Sequence, residues 1–270
     1  TTKEAMDAVR KYIDNENPGI ENVIIFSNSK DAFSRSSSLE AKEQLEEKMS
    51  IQTDNIKEVE LSGKDPLYLT EKLKEYKNAP LHNEKNTVIF LFMGAYTESQ
   101  IGQVKAIIEE NKGDFLLIGN NPVYTPDFFT KFNDKSVLNN IRIRRFWVLS
   151  KKDQKIENQE IENQEIEKFQ SFWDTEDDLI TRIGTSYDAT EMFIRAISQQ
   201  RQSKGTTTPE GINDALLNTD FMGMTGEVKI IKDGPNKGDR EDANFYLIKP
   251  DCNEKGKCEW MRLNRHSEQN

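Results

Sequence analysis

Few residues of this chain have a type and spacing that could perform covalent chemistry. It has two cysteines and two histidines, and neither histidine has metal-ligand spacing to a cysteine or to the other histidine. Carboxylates number 47 in 270 residues, but no pair stands out as an acid and base couple. The motifs of serine hydrolases, P-loop proteins, zinc proteases and dinucleotide binders are absent. We therefore expect no catalysis, no metal and no cofactor.

The two cysteines, Cys252 and Cys258, lie in the segment PDCNEKGKCEW between two strand-like runs. A hairpin would bring their sulfur atoms within disulfide distance, and the bond would pin the hairpin tip. A pair of exposed thiols is equally compatible with the sequence. Both states of the cysteines stay open.

The charge balance argues against a nucleic-acid partner. Acidic residues exceed basic ones by 47 − 37 = 10, so the protein repels a phosphate backbone at long range. One basic cluster, Arg142, Arg144 and Arg145, alternates with Ile141 and Ile143, and this pattern predicts the solvated face of a strand. No apolar run approaches the length of a membrane span.

The first 150 residues alternate between helix and strand. Continuous apolar runs predict strands buried on both faces, and the polar segments between them have helical spacing. In the segment after the first strand, Leu39, Leu45 and Met49 are the expected buried positions, with Ser34 to Ser38 as candidate N-caps. The expected strands are VIIF, KEVEL, TVIFLF, DFLLIG and IRIRRFWVLS, and the expected helices are residues 2–15, SRSSSLEAKEQLEEKM, DPLYLTEKLKEY and TESQIGQVKAIIEEN. This alternation predicts an α/β protein with a parallel sheet.

The second half has a different character. The pentad Ile-Glu-Asn-Gln-Glu occurs at 156 and 161, a period that fits no helix, which predicts a surface insertion. Ser186 is the expected cap of a buried helix that follows it, and PEGINDALLN is a second helix. GEVKII, NFYLIK and EWMRL then predict strands that end in an antiparallel hairpin. The buried face of the first of these helices is expected to consist of Ala189, Met192, Phe193, Ala196 and Ile197.

The loops that follow the predicted parallel strands are the expected binding region. In open α/β sheets, ligands bind beyond the carboxyl ends of the strands. Three loops qualify: 27–34, 94–98 and 120–125. They carry aromatic and amide groups suited to holding a small polar molecule.

Four segments of the chain, taken in order, resemble the type I periplasmic solute-binding proteins. This family includes the branched-chain amino acid binding proteins of ABC transporters and the ligand-binding regions of receptors. The family pattern is a strand and a polar loop with Asp and an aromatic, a second strand and loop, a Tyr-Asp-Ala helix and a Phe-x-Gly-x-Thr-Gly turn. The matching segments are VIIFSNSKDAFSRSSSLEAKEQLEE, VIFLFMGAYTESQIGQVKAIIEENKGDFLLIGNN, SYDATEMFIRAI and LLNTDFMGMTGEVKIIKDGPNKGDREDANFYLIKP.

The resemblance implies two lobes, each a parallel sheet flanked by helices, that close on a ligand. In this chain one lobe is expected to be nearly complete and the other partial, because the family's first half-lobe has no matching segment. The implied domains are a second lobe at 1–150, a low-complexity insertion and connecting helix at 151–174, a remnant of the first lobe at 175–222, and a return to the second lobe with the hairpin at 223–270.

By position in the family pattern, four residues are implied to contact the ligand. Phe33 and Tyr96 match aromatic residues, and Asn121 stands where amino acid binders carry a carboxylate that pairs with the ligand's ammonium group. A neutral amide cannot supply that charge, and Asp31 is the candidate substitute. Each position also has a structural interpretation: Phe33 as a helix staple, Tyr96 as an aromatic packed on its own sheet, and Asn121 as a turn residue before proline.

The function implied is therefore an extracytoplasmic or periplasmic solute-binding module for a small polar molecule, an amino acid or a related compound. Its partner would be an ABC permease or a signalling output domain. The alternative is an α/β enzyme that acts on a small acid or phosphate with carboxylates at the same strand ends. The apolar face of the helix that contains Tyr187 is expected to be exposed or covered by a partner chain.

Overall fold

The structure is a computed structural model in which the chain divides into two compact units. The larger unit is Thr2–Phe146 with Phe245–Asn270, and the smaller unit contains Trp147–Asn244. The residues described are 2–16, 19–79, 86–94, 97–120, 123, 128–146, 177–205, 207–234, 237, 238, 240, 241 and 245–263. The pentad segment lies outside them.

The larger unit is built on a seven-stranded sheet. Its strands are β1 (Asn22–Ser27), β2 (Ile56–Glu60), β3 (Thr87–Phe92), β4 (Leu116–Gly119), β5 (Ile141–Phe146), β8 (Phe245–Cys252) and β9 (Cys258–Arg262). Five parallel strands follow the order β2-β1-β3-β4-β5, and β8 and β9 extend the sheet antiparallel beyond β5. The helices are α1 (Thr2–Glu16), α2 (Ala32–Met49), α3 (Pro66–Lys77) and α4 (Glu98–Asn111).

Helices flank this sheet, as the buried strands require. Helix α1 packs against α2, β5 and β8, while α2 packs against β1 and β3. The connection from β1 through α2 runs toward β2, whereas the connections through α3 and α4 run the opposite way across the sheet. Because such crossovers are right-handed, α2 lies on one face of the sheet and α3 and α4 lie on the other. Both faces of β1 and β3 are buried in full. This is the predicted α/β architecture, with a mostly parallel sheet and a C-terminal antiparallel hairpin.

Two details of the larger unit differ from the sequence analysis. The N-cap of α2 is Asp31, three residues before the first expected N-cap, because its carboxylate accepts a hydrogen bond from the backbone N–H of Ser34. Leu39, expected to be buried, is 61% exposed. The face of α2 that packs on the sheet instead consists of small and polar residues with Leu45: Ser34, Ser37, Ser38, Ala41 and Gln44.

The basic cluster on β5 is not a solvated strand face. Arg144 and Arg145 are buried, with 4% and 7% of their surface exposed, and Arg142 is half-buried. Arg142 and Arg144 lie on the face of the sheet that α1 and α2 cover, and their guanidinium groups pair with side chains of these two helices. Arg142 donates to the hydroxyl of Tyr12, and Arg144 donates to the hydroxyl of Ser37.

The smaller unit contains α5 (Asp177–Lys204), α6 (Pro209–Leu217) and a two-stranded antiparallel sheet of β6 (Asp220–Gly223) and β7 (Gly226–Lys229). Helix α5 has 28 residues, so Ser186 lies inside it and does not cap it. Phe193, expected in the buried face, is 51% exposed, whereas Ala196 is buried. The buried side of α5 is rotated because it packs against α6 and β6.

The chain re-enters the larger unit at Phe245. Residues 223–244 therefore belong to the smaller unit. Strands β6 and β7 pair with each other, and β6 contacts α5. Among the described residues, no helix is long and apolar enough to cross a membrane.

Candidate functional site

The sheet of the larger unit has a topological switch point between β1 and β3. From β1 the chain winds outward to β2 on one side and to β3, β4 and β5 on the other. The loops at the carboxyl ends of these adjacent parallel strands therefore lead to helices on opposite faces of the sheet, and ligands of such sheets usually bind between loops of this kind. The loops are those after β1 and after β3, and the first contains Asp31.

Asp31 holds the loop after β1 in place. Its carboxylate accepts a 2.8 Å hydrogen bond from the backbone N–H of Ser34 and so caps α2. The hydroxyl of Ser34 accepts a hydrogen bond from the backbone N–H of Asn28 at 2.8 Å and donates to the carbonyl oxygen of Phe92 at 2.6 Å. Ser34 thus joins the loop to the end of β3. The sequence analysis treated Ser34 only as a cap candidate.

The loop after β3 approaches Asp31 closely at Gly94. A Cβ atom at this position would lie 2.0 Å from Cγ of Asp31. Only glycine leaves room for the carboxylate, so the two loops of the switch point contact each other through the carboxylate of Asp31 and the backbone of Gly94. The sequence analysis does not predict this contact and includes Gly94 only as the first residue of the loop 94–98.

Asn120 fixes the base of the same loop from the neighbouring strand. Its side chain is fully buried, accepts a hydrogen bond from the backbone N–H of Met93 at 3.1 Å and donates to the carbonyl of Met93 at 2.8 Å. A side-chain amide that pairs both backbone groups of one residue holds that residue in a single conformation. The predicted contacts Tyr96 and Asn121 lie outside the described residues.

Phe33 is the predicted contact that the structure leaves accessible. It lies in the first turn of α2, two residues after Asp31, and 44% of its surface is exposed. The structure therefore brings Asp31, Gly94 and the first turn of α2 together at the carboxyl edge of the sheet. An aromatic ring at such an edge offers apolar contact area to a small molecule.

Beside this site, Glu60 joins the ends of β1 and β2. Its carboxylate accepts hydrogen bonds from the backbone N–H groups of Ser29 and Ser62. Burial raises the pKa of Glu60, but the hydrogen bonds from Ser29 and Ser62 outweigh it, and the pKa is lowered overall. The ionised carboxylate is thus part of the loop structure at neutral pH.

Beneath the first turns of α2 lies the guanidinium of Arg144. It donates to the hydroxyl of Ser37 at 2.9 Å and lies 5.5 Å from the ring centre of Phe92. Its Nη1 atom is buried and has no hydrogen-bond partner among the described residues. Burial lowers the pKa of Arg144 to about 10, and the carboxylate of Glu40 opposes this shift.

In the smaller unit, Asp188 links the Tyr-Asp-Ala and Phe-x-Gly-x-Thr-Gly motifs. Its carboxylate accepts hydrogen bonds from the backbone N–H of Met224 at 2.6 Å, from the backbone N–H of Thr225 at 3.0 Å, and from the hydroxyl of Thr225. Arg240 lies 3.9 Å away as an ion-pair partner. A Cβ at Gly223 would lie 2.6 Å from Asp188. Both motifs thus serve to attach the β6–β7 turn to α5.

Cys252 and Cys258 are directly opposite each other in the β8–β9 hairpin and form a disulfide. The bond closes the tip of the hairpin, far along the chain from the switch-point loops. Within the described residues, no group of three or more His, Cys, Asp or Glu side chains is placed to hold a metal ion.

Comparison with solved structures shows which fold this is. A leucine-binding protein from Thermotoga maritima superposes with a TM-score of 0.67 at 15% identity, covering 98% of this chain and 66% of that protein. An ABC transporter solute-binding protein from Rhodopseudomonas palustris, in complex with p-hydroxybenzoic acid, matches with a TM-score of 0.67 at 16% identity, covering 97% and 65%. A branched-chain amino acid ABC transporter protein from Thermus thermophilus with bound valine gives 0.62 at 14% identity, covering 98% and 64%.

The chain has the type I periplasmic-binding-protein fold. It spans about 65% of the length of these solved proteins. Neither models of protein families nor the sequences of curated proteins match it. At 14–16% identity, the likeness to these solved proteins rests on the three-dimensional arrangement.

Proposed function

We propose that this protein is a solute-binding module that captures a small molecule at the switch point of its larger unit, without catalysis. The observation that carries the proposal is the meeting of the loops after β1 and β3, Asp31 against Gly94, beside the exposed ring of Phe33. Solute-binding proteins of the same fold support it.

The proposed ligand is an amino acid or a related small organic acid. The solved proteins of this fold include a leucine-binding protein and two proteins with bound p-hydroxybenzoic acid or valine, and each of these compounds joins a carboxylate to an apolar body. Phe33 would pack on the apolar body. The proposed partner is an ABC permease or a signalling output domain, and the proposed location of the protein is periplasmic or extracytoplasmic.

The proposal is tested by calorimetric titration and thermal shift with leucine, valine, p-hydroxybenzoate and glucose. We expect binding of at least one of the acids, and a Phe33→Ala variant with roughly tenfold weaker affinity and an unchanged melting temperature. Leu39→Ala is the matched control, because Leu39 is exposed on the same helix about 9 Å further along its axis.

Two results would contradict the proposal. One is that none of the tested acids binds at millimolar concentration. The other is chemical conversion of a bound acid, measured by chromatography of the mixture after incubation, which would favour an enzyme.

A further inference from the structure

Arg144 is a buried cation that forms no ion pair in the described part of the chain. Its surface is 4% exposed, and its Nη1 atom has no hydrogen-bond partner among the described residues. Glu40 is the carboxylate that favours its charged form, but Glu40 accepts a hydrogen bond from the side chain of Gln44 at 3.1 Å instead. Buried charges are usually paired, so an unpaired buried donor of this kind needs an explanation.

The surroundings of Arg144 are apolar and otherwise positive. Its guanidinium lies 5.5 Å from the ring centre of Phe92, and Leu247 is directly opposite it on β8. Both of these residues belong to the apolar core. Arg142 lies two residues earlier on the same face of β5, where it donates to a hydroxyl and to two backbone carbonyls. Two neighbouring cations raise the positive potential under α2, which favours an anion there.

Arg144 lies at the carboxyl edge of the sheet. Gly119 is the last residue of β4, and it pairs with Leu91 on one side and with Ile143 on the other. Arg144 is therefore one residue beyond the last paired residue of β4. This is the edge at which open α/β sheets bind their ligands.

The serines of α2 connect Arg144 to the loops of the switch point. Ser37 accepts the hydrogen bond from Arg144, and Ser34, about one turn earlier, donates to the carbonyl of Phe92. The exposed ring of Phe33 belongs to a residue four positions before Ser37, about 6 Å along the helix axis. A small organic acid is long enough to lie between this ring and the guanidinium.

A carboxylate is a stronger partner for this guanidinium than the partner it has. One hydrogen bond to the neutral hydroxyl of Ser37 holds it, at 2.9 Å. Hydrogen bonds from a guanidinium to a carboxylate are charge-assisted, roughly twice as strong as neutral ones, and can form in pairs. A carboxylate at the strand ends therefore competes with Ser37 and draws the guanidinium toward the loops.

We propose that Arg144 is the anion-binding residue of the switch-point site and pairs with the carboxylate of the captured solute. This inference rests on the proposed function and narrows the ligand to compounds that carry a carboxylate. It also explains why a buried, incompletely paired arginine stands at this edge, because binding sites contain groups that the stability of the fold alone does not favour.

The first test compares each acid with its amide, which has a similar shape without the carboxylate charge. In calorimetric titrations, the wild type should bind p-hydroxybenzoate or leucine at least about tenfold more tightly than p-hydroxybenzamide or leucinamide. In Arg144→Met this ratio should fall to about one, because the remaining contacts do not distinguish acid from amide. The melting temperature of the variant without solute should not fall.

Arg142→Met is the matched control, since it makes the same substitution on the same face of β5. Arg142 is held by Tyr12 and by two backbone carbonyls, so its loss should leave the preference for the acid within about twofold. Circular dichroism checks that each variant is folded. If Arg144→Met does not fold, Arg144→Gln replaces it, and the same loss of preference is expected.

The outcomes separate this inference from the proposed function. Equal binding of acid and amide by the wild type, or a preference that Arg144→Met retains, overturns the role of Arg144 and leaves solute binding intact. If the wild type binds none of the compounds, the proposed function itself is contradicted, and the inference fails with it.

The second test distinguishes the carboxylate of the solute from a free inorganic anion, with sodium bromide as the probe. We expect bromide to compete with the acid, so that it weakens acid binding more in the wild type than in Arg144→Met. Bromide that raises the melting temperature of the wild type alone, and leaves acid binding unchanged, would assign Arg144 to a free ion. That result would overturn the assignment to the solute.

Discussion

Arg144 is the residue whose environment differs most from what its type would suggest. It is buried under α2 with one hydrogen bond to Ser37 and one face of its guanidinium toward Phe92. Because burial lowers the pKa of Arg144 to about 10, the folded state disfavours the charged form that is present at pH 7. At neutral pH this arginine therefore costs stability.

We expect Arg144→Met to raise the free energy of unfolding at pH 7 by about 1 kcal/mol, because methionine fills a similar volume and needs no solvation. Arg144→Ala should lower it by about 2 kcal/mol, since it leaves a cavity beside Phe92. Urea unfolding followed by circular dichroism gives both values. A loss of stability in Arg144→Met would mean that the guanidinium is better satisfied than its contacts indicate.

At the scale of elements, the carboxylate of Asp188 links one helix to one hairpin. Asp188 on α5 accepts two backbone hydrogen bonds from the turn between β6 and β7 and one from the hydroxyl of Thr225, and it is almost fully buried. Replacement of a carboxylate by an amide removes one acceptor and adds a donor at the same place.

Asp188→Asn should therefore lower the stability of the smaller unit by about 2 kcal/mol, the cost of a buried donor left unpaired. Hydrogen exchange measures this locally, and faster exchange is expected at 223–229 without change at the strands of the larger unit. Glu191→Gln is the control, since Glu191 pairs with Arg195 on the surface of the same helix. Equal protection of 223–229 in both variants would show that the turn holds without the carboxylate.

The loops of the switch point give a second prediction at this scale. In Gly94→Ala, the added methyl group would collide with the carboxylate of Asp31, so the loop after β3 must move. We expect a loss of about 1–3 kcal/mol in stability, together with weaker ligand binding.

The Asp31→Ser background tests the cause of that loss. Serine still caps α2 but is shorter, so Gly94→Ala should cost less there than in the wild type. Thermal melts of the wild type, the two single variants and the double variant complete the double-mutant cycle. Equal cost of Gly94→Ala in both backgrounds would show that Asp31 is not the group displaced.

At the scale of the whole molecule, the sequence alone predicted the class of fold well. Apolar runs such as TVIFLF match β3 residue for residue, and Asp65 with Pro66 marks the start of α3. Continuous apolar strands alternating with helices admit only a sheet covered on both faces, so the parallel architecture follows from local patterns. The predicted binding region at the strand ends rests on the same topology and stays a prediction.

Only the tertiary structure decided which polar residues are buried and which apolar residues are exposed. Arg144 looks solvated in sequence, but α2 covers it, and the buried serines of α2 pack on the sheet. Phe193 looks buried by its spacing, but α6 and β6 pack on another side of α5. Periodicity shows that a helix has an apolar face, whereas the partner that covers the face depends on contacts between segments distant in the chain.

The same limit applies to the site. The sequence determined that Asp31 and Phe33 follow a buried strand, and hence that they lie at its carboxyl end. It did not reveal that Asp31 packs against Gly94, that Asn120 holds Met93, or that Asp188 holds Thr225, because each of these contacts joins residues at least 27 positions apart. Local sequence specifies the elements and their order, and long-range packing alone specifies which side chains meet.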